Sequence, residues 1–155
     1  MSDDIEVIAT HKKAFHDYFI EERYEAGIAL VGTEVKSLRA GEINLKDSFA
    51  RIEKGEVFLH NCHISPYRHG NITNHDPTRT RKLLLRASEV KRLLGKTQQR
   101  GLTLIPLSVY FKGSWVKIEL ALARGKKHYD KREVSAKKSA QKEIQRALKQ
   151  KRGRG

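Results

Sequence analysis

Residues 103 to 123 read TLIPLSVYFKGSWVKIELALA, two runs rich in β-branched and aromatic residues that meet at Gly113. Such a pattern specifies a β-hairpin. A shorter copy of the device lies upstream, where DSFARIEKGEVFLHNCHI at 47 to 64 turns about Lys54 and Gly55. DYFIEERYEAGIALVG at 17 to 32 adds one long bent strand or a further hairpin. Strands this numerous and this apolar need partners, and a ring leaves no long edge exposed.

Two helices interrupt the strands. GTEVKSLRAG at 32 to 41 changes to helical spacing, with Val35 and Leu38 three apart, Thr33 as a possible cap and Gly41 as a stop. SEVKRLLGKTQQRG at 88 to 101 opens on a Ser cap with Glu89 in its first turn, places Val90, Leu93 and Leu94 on one face and ends at Gly101. Six or more strands with two to three short helices in about 120 residues predict a mainly β fold, a closed or partly open barrel of the oligonucleotide-binding type. The stretch SPYRHGNITNHDPTRT at 65 to 80 has two prolines and no apolar period, and is long for a connection in a compact domain, which marks it as functional or mobile.

Charge divides the chain. Residues 125 to 155 carry 12 basic and 3 acidic side chains, and residues 1 to 124 carry 20 and 15, out of a formal total of +14. A barrel over 1–124 and a basic tail over 125–155 follow. The tail's large aliphatics are Val134, Ile144 and Leu148, too few to offset the roughly 1–2 kcal/mol of backbone entropy each ordered residue loses. Disorder is expected when it is free. Over 133 to 151, Ala136, Ala140, Ile144, Ala147 and Leu148 would form one thin helical stripe. An anionic groove that relieved the lysine repulsion would couple helix formation to binding.

The charge selects a polyanion as partner. Apolar runs such as GIALVG at 27 to 32 are far too short to span a bilayer, and the acidic start MSDDIEVIATHKK lacks the form of a secretory signal, so a cytoplasmic chain without a membrane partner is expected. Cys62 is the sole cysteine, which excludes an internal disulfide and an all-cysteine zinc site. His60 and His63 stand three apart in an expected strand and so face opposite sides; His69 and His75 lie in the loop without a supporting motif. Neither a metal nor a cofactor is expected. No nucleophile elbow, phosphate loop or carboxylate pair is present. A ribonuclease built on scattered His, Lys and Glu, and a general RNA chaperone, stay open beside a selective RNA binder.

GKKHYDKRE at 125 to 133 favours selectivity. Tyr129 offers a face on which a base stacks, worth about 1–3 kcal/mol, and Asp130 accepts from base amino groups or orients Lys131 and Arg132. Gly125 supplies a hinge where the chain leaves the barrel.

EAGIALVGTEVKSLRAG, DPTRTRKLLL, LTLIPLSVYFK and GKKHYDKRE, in this order, resemble the SsrA-binding protein (small protein B) family, the bacterial partner of transfer-messenger RNA, over residues 8 to 150. The resemblance implies a monomeric, non-enzymatic adaptor. It would hold the tRNA-like domain of that RNA and deliver it to stalled ribosomes for trans-translation. Its tail would stand in for codon–anticodon pairing against the ribosomal RNA of the decoding centre, and fold as a helix in the messenger channel. Contacts to the tRNA-like domain fall by resemblance on Glu25 in YEAG and on Leu84 and Arg86 at the end of RKLLLR. On residue chemistry alone, Glu25 reads as half of a cross-strand ion pair and Leu84 as core. Arg79, Arg81 and Lys82 join the set as phosphate neighbours, from charge and proximity. The decoding-centre segment falls on Gly125, Lys126, Lys127, Tyr129, Asp130, Lys131 and Arg132. Two positions depart from the family pattern: THKK at 10 to 13 lacks an asparagine before its basic pair, which touches His11, and Arg86 stands where a neutral polar residue or histidine is common.

Overall fold

The computed structural model describes residues 4–67 and 74–126. Its elements run in the order β1 (Ile5–Thr10), α1 (Lys12–Asp17), β2 (Tyr18–Ile28), α2 (Gly32–Arg39), β3 (Ile43–Asn44), β4 (Phe49–Glu53), β5 (Glu56–His60), β6 (His63–Ile64), β7 (Arg81–Leu84), α3 (Ala87–Thr97), β8 (Leu102–Lys112) and β9 (Trp115–Gly125).

Every strand pairing is antiparallel. β9 pairs with β8 along its length, and β2, β7, β5 and β4 follow in turn until β4 returns to β8 at Ala50 opposite Leu104. The ring of six strands is the expected barrel, and its β4–β8 seam is a single paired position. β1 lies on the remaining stretch of the same β8 edge, from Lys112 to Ser108. β3 and β6 form a separate two-stranded piece.

Local chemistry explains the hairpins. Lys54 and Gly55 both take positive φ, 52° and 77°, and join Glu53 to the opposing Glu56. That geometry gives a two-residue turn whose twist suits the strands. At the second turn Gly113 has φ 62°, with Lys112 opposite Trp115.

Inside the ring Leu59, Leu83, Leu93, Leu104, Ile118, Leu120 and Leu122 are buried, with Leu38 and Ile64 among them. Each such side chain contributes about 1.5–3 kcal/mol of transfer free energy. A second, smaller cluster joins Ala14 of α1 to Ile105, Leu107, Ala121 and Ala123. α1 thereby covers part of the β8–β9 exterior. This is why LIPL and LALA are apolar without alternation: those segments are buried on both faces.

Several expectations shift. The 17–32 stretch is one strand, irregular between Ile20 and Glu22, and Asp17 closes α1 instead. The second strand of the 47–64 hairpin stops at His60, because Asn61 adopts φ 61°. His60 and His63 consequently belong to different sheets. Neither helix uses its expected hydroxyl cap. Glu34 accepts the Val31 amide at 2.9 Å and Glu89 the Arg86 amide at 3.1 Å, so each helix opens with a carboxylate folding back on the residue before it. Thr33 is turned to His75, and α3 ends at Thr97, leaving Gly101 (φ 86°) to the turn into β8.

Candidate nucleic-acid interface

Strand register builds one outward face from five strands. Val7 lies opposite Tyr110, Tyr110 opposite Lys117, Lys117 opposite Gly27, and Gly27 opposite Leu84. Paired residues share a face, so this row crosses β1, β8, β9, β2 and β7 on the side away from Phe111, Val109 and Ile118, which are buried. Glu25, two residues before Gly27, and Glu119 opposite it continue the face. Glu25 and Leu84, far apart in sequence, are thus close neighbours.

Leu84 is 50% exposed, so the core-packing reading of it fails. Glycine across from it is part of the reason: a Cβ on Gly27 would lie 3.4 Å from the Leu84 Cβ. Leu84 also opens onto a cleft of about 480 Å³ between β7 and α3, walled by Leu85, Val90 and Leu94, with Lys82 and Lys91 beside it.

Glu25 accepts the Tyr110 hydroxyl at 2.5 Å and the Lys112 ammonium at 3.3 Å. The Tyr110 bond, with help from Lys112 and Lys117 and against some desolvation, holds its carboxyl below the ordinary range. Burial, then Glu25, pushes the Tyr110 hydroxyl upward. Glu25 is therefore a carboxylate at neutral pH, and the ion-pair reading of it holds, with a partner that lies on β8, beyond β9. Half-exposed, it keeps acceptor capacity for a base or ribose donor.

The basic residues separate. Arg86 is exposed in the extended position before α3, and its guanidinium has no ion-pair partner among the described residues. Lys82 is partly exposed and pairs with Glu56. Arg79 is about one-third exposed and donates to Glu34 at 2.7 Å and to the Ala29 carbonyl at 3.3 Å. Arg81 is a correction to the expected set. Its side chain is fully buried, donating to Glu34 at 2.6 Å and to the carbonyls of Cys62, Asp76 and Pro77 at 2.7, 3.3 and 3.1 Å. With its donors spent inside, it does not reach a phosphate; it ties the segment leading into β7 to α2.

The histidines also serve the framework. His75 places Nε2 2.8 Å from the Ile64 carbonyl and Nδ1 2.9 Å from the Thr33 hydroxyl; a carbonyl only accepts, so Nε2–H donates and, in the neutral ring, Nδ1 accepts the hydrogen bond from the Thr33 hydroxyl. His11 turns Nδ1 to the Pro106 carbonyl at 3.0 Å, an internal hydrogen bond. Among the described residues no three His, Cys, Asp or Glu side chains converge as metal ligands. Cys62 is buried, and desolvation pushes its thiol up to about 12.

The family model for SmpB protein matches residues 8–150. The chain belongs to the SsrA-binding protein (SmpB) family. It is 64% identical to the SsrA-binding protein of Halothermothrix orenii over 148 residues, covering 96% of both chains. The relative from Caldicellulosiruptor saccharolyticus is 64% identical, covering 96% of this chain and 94% of the other. That from Geobacillus thermodenitrificans is 62% identical over 93% of each. A solved structure described as "tmRNA-SmpB: a journey to the center of the bacterial ribosome" is similar at TM-score 0.62 and 59% identity, covering 72% of this chain and 78% of that one.

Of the tail segment expected for this SmpB family member, Gly125 and Lys126 are described. Gly125 is the last residue of β9, opposite Tyr18, so the chain leaves the barrel one residue later than the charge division suggested. Lys126 lies over the Phe19 ring at 5.1 Å and donates to the Phe15 carbonyl at 3.4 Å. Lys127, Tyr129, Asp130, Lys131 and Arg132, and the stripe over 133 to 151, lie outside the described residues. Among those described, no helix is long and apolar enough to cross a membrane. Tyr110, Lys117 and Trp115 were not singled out from sequence, although alternation within the 103–123 hairpin already puts them on the face away from Val109, Phe111 and Ile118.

Proposed function

We propose that this chain is an RNA-binding adaptor of ribosome rescue, acting as a cytoplasmic monomer and without catalysing a reaction. Its barrel, residues 1–124, holds the tRNA-like domain of transfer-messenger RNA on the face that carries Glu25 and Leu84, with Arg86 beside it. Lys82 and Arg79 serve neighbouring phosphates. Its tail, residues 125–155, enters the decoding centre through Gly125, Lys126, Lys127, Tyr129, Asp130, Lys131 and Arg132. Beyond them it occupies the messenger channel as a helix.

The observation that carries the reading is the meeting of Glu25 and Leu84 on one exposed face, in a chain whose likeness to the SmpB family extends into the basic tail. The chemistry suits the task. A carboxylate accepts base and ribose donors, an exposed leucine packs on a base or sugar, and a guanidinium binds phosphate bidentately. None of these roles requires a nucleophile or a general base.

Removing residues 127–155 leaves β9 whole and separates the two surfaces. The truncated protein should bind transfer-messenger RNA like the full chain and fail to support tagging of truncated nascent chains. Tagging by the truncated protein would overturn the tail role. Equal affinity for unrelated RNAs at matched salt would point to a general chaperone, and RNA cleavage by the purified protein would overturn the adaptor.

A further inference from the structure

Trp115 is 73% exposed at the β8–β9 turn, the most exposed of the large hydrophobic side chains described, and it is the only tryptophan in the chain. An indole left in water forgoes a large apolar burial, and tryptophan concentrates where a partner covers it. Its position says which partner. Trp115 lies opposite Lys112, Lys117 lies opposite Tyr110, and all four share the outward face with Glu25 and Gly27. By ordinary sheet spacings, two strands across and two residues along, Trp115 is about 12 Å from Leu84. A single RNA–protein interface spans more than that.

The charges at this end favour a polyanion. Among the described residues Lys117 has no ion-pair partner, and Lys112 pairs with Glu25 alone, at 3.3 Å. Ile5, 59% exposed and opposite Lys112, adds an apolar flank. An aromatic plane beside two lysines is the combination that holds single-stranded nucleotides: stacking for the base, ammonium groups for the backbone.

The geometry points to a nucleotide subsite at this end of the face, in which an unpaired base of the bound RNA stacks on the Trp115 indole and its phosphate is met by Lys117. The inference rests on the reading of this face as the RNA-binding surface. It adds a ligand class, an unstacked nucleotide in a loop or bulge of a structured RNA, and two residues, Trp115 and Lys117, to that surface. Lys112, held toward Glu25, links the subsite to the proposed contact.

Because the chain has one tryptophan, the full-length protein reports on the subsite directly. A tRNA-like RNA is titrated in, binding is followed by gel shift, and Trp115 emission and its quenching by acrylamide are recorded on the same samples. Stacking predicts quenched emission and lower acrylamide access, both saturating with the gel shift. Trp115→Phe should keep affinity within about threefold and Trp115→Ala lose on the order of tenfold. Lys117→Gln should lower the salt slope of log K by about one. RNA binding with emission and acrylamide access unchanged, or wild-type affinity in Trp115→Ala, would overturn the subsite and leave the RNA-binding face standing. Failure of the wild-type protein to bind the RNA would overturn both. An emission change that follows protein concentration without RNA would assign Trp115 to contact between copies of the chain, and would also overturn the subsite.

Discussion

Replacing Glu34 by alanine should destabilise the barrel more than any surface change, although Glu34 touches no proposed ligand. Its side chain is fully buried, and its two oxygens accept from Val31 N at 2.9 Å, from Arg79 at 2.7 and 3.3 Å, and from Arg81 Nε at 2.6 Å. The variant leaves the Arg81 guanidinium equally buried, with three carbonyl partners and no counter-charge. Breaking a buried pair by removing one member costs about 3–5 kcal/mol, because the stranded ion keeps its desolvation penalty. For a domain of this size, about 4 °C of Tm is lost per kcal/mol. Circular dichroism melts at neutral pH should therefore show a fall of about 12–20 °C. A fall below about 4 °C would refute the claim that the pair is desolvated and intact.

Two further measurements identify the cause. Glu34→Leu combined with Arg81→Met removes both charges and should recover most of the loss, since an apolar replacement of a buried pair is close to neutral. The pH dependence supplies the sign. Burial pushes the Glu34 carboxyl up, but the bonds from Arg79, the Val31 amide and Arg81 outweigh it and leave it below the ordinary range. A folded value below the unfolded one, about 4.3, makes the stabilisation complete above that pH and lost as pH falls through the folded value. The gap between wild type and Glu34→Ala should stay constant from about pH 6 to 8 and narrow in acid. Since Arg81 begins β7, RNA affinity should fall with the pair as Leu84 loses its fixed position.

The Cys62 thiol, buried and pushed up to about 12, should react with an aromatic disulfide reagent only as fast as the protein opens; rapid labelling of the native state would contradict its burial. Arg92, followed by the Tyr24 hydroxyl, holds the Glu22 carboxyl at about 2. Arg92→Ala should return its NMR titration toward the ordinary carboxylate range. The accompanying loss of stability should be small, because more than half of the Arg92 side chain is open to solvent. What the pair contributes is present above about pH 4.3 and fades as pH falls toward 2. Tyr129→Ala or Asp130→Ala should impair tagging while binding of transfer-messenger RNA stays nearly intact; equal loss of both would remove the decoding-centre assignment.

What was legible in the sequence was what neighbours along the chain decide. The Lys54–Gly55 and Gly113 turns were visible because turn type depends on two residues. β1 and β7 were not, since six and four residues carry little period of their own and each exists through a partner strand. Arg81 failed for the same reason in reverse. A basic residue in a basic stretch is rightly expected at the surface, unless a carboxylate distant in sequence waits in the interior, and Glu34 does. The candidate site lies between these cases. Alternation in the long hairpin already separates Tyr110, Lys112, Trp115 and Lys117 from the core, and so identifies an outward face without a use. Closing the ring adds its neighbours, because pairing through β9 and β2 brings Lys117 level with Gly27 and Leu84. Gly27 then matters for what it lacks. Without a side chain there, Leu84 packs against the Gly27 backbone and keeps half of its own surface open to solvent.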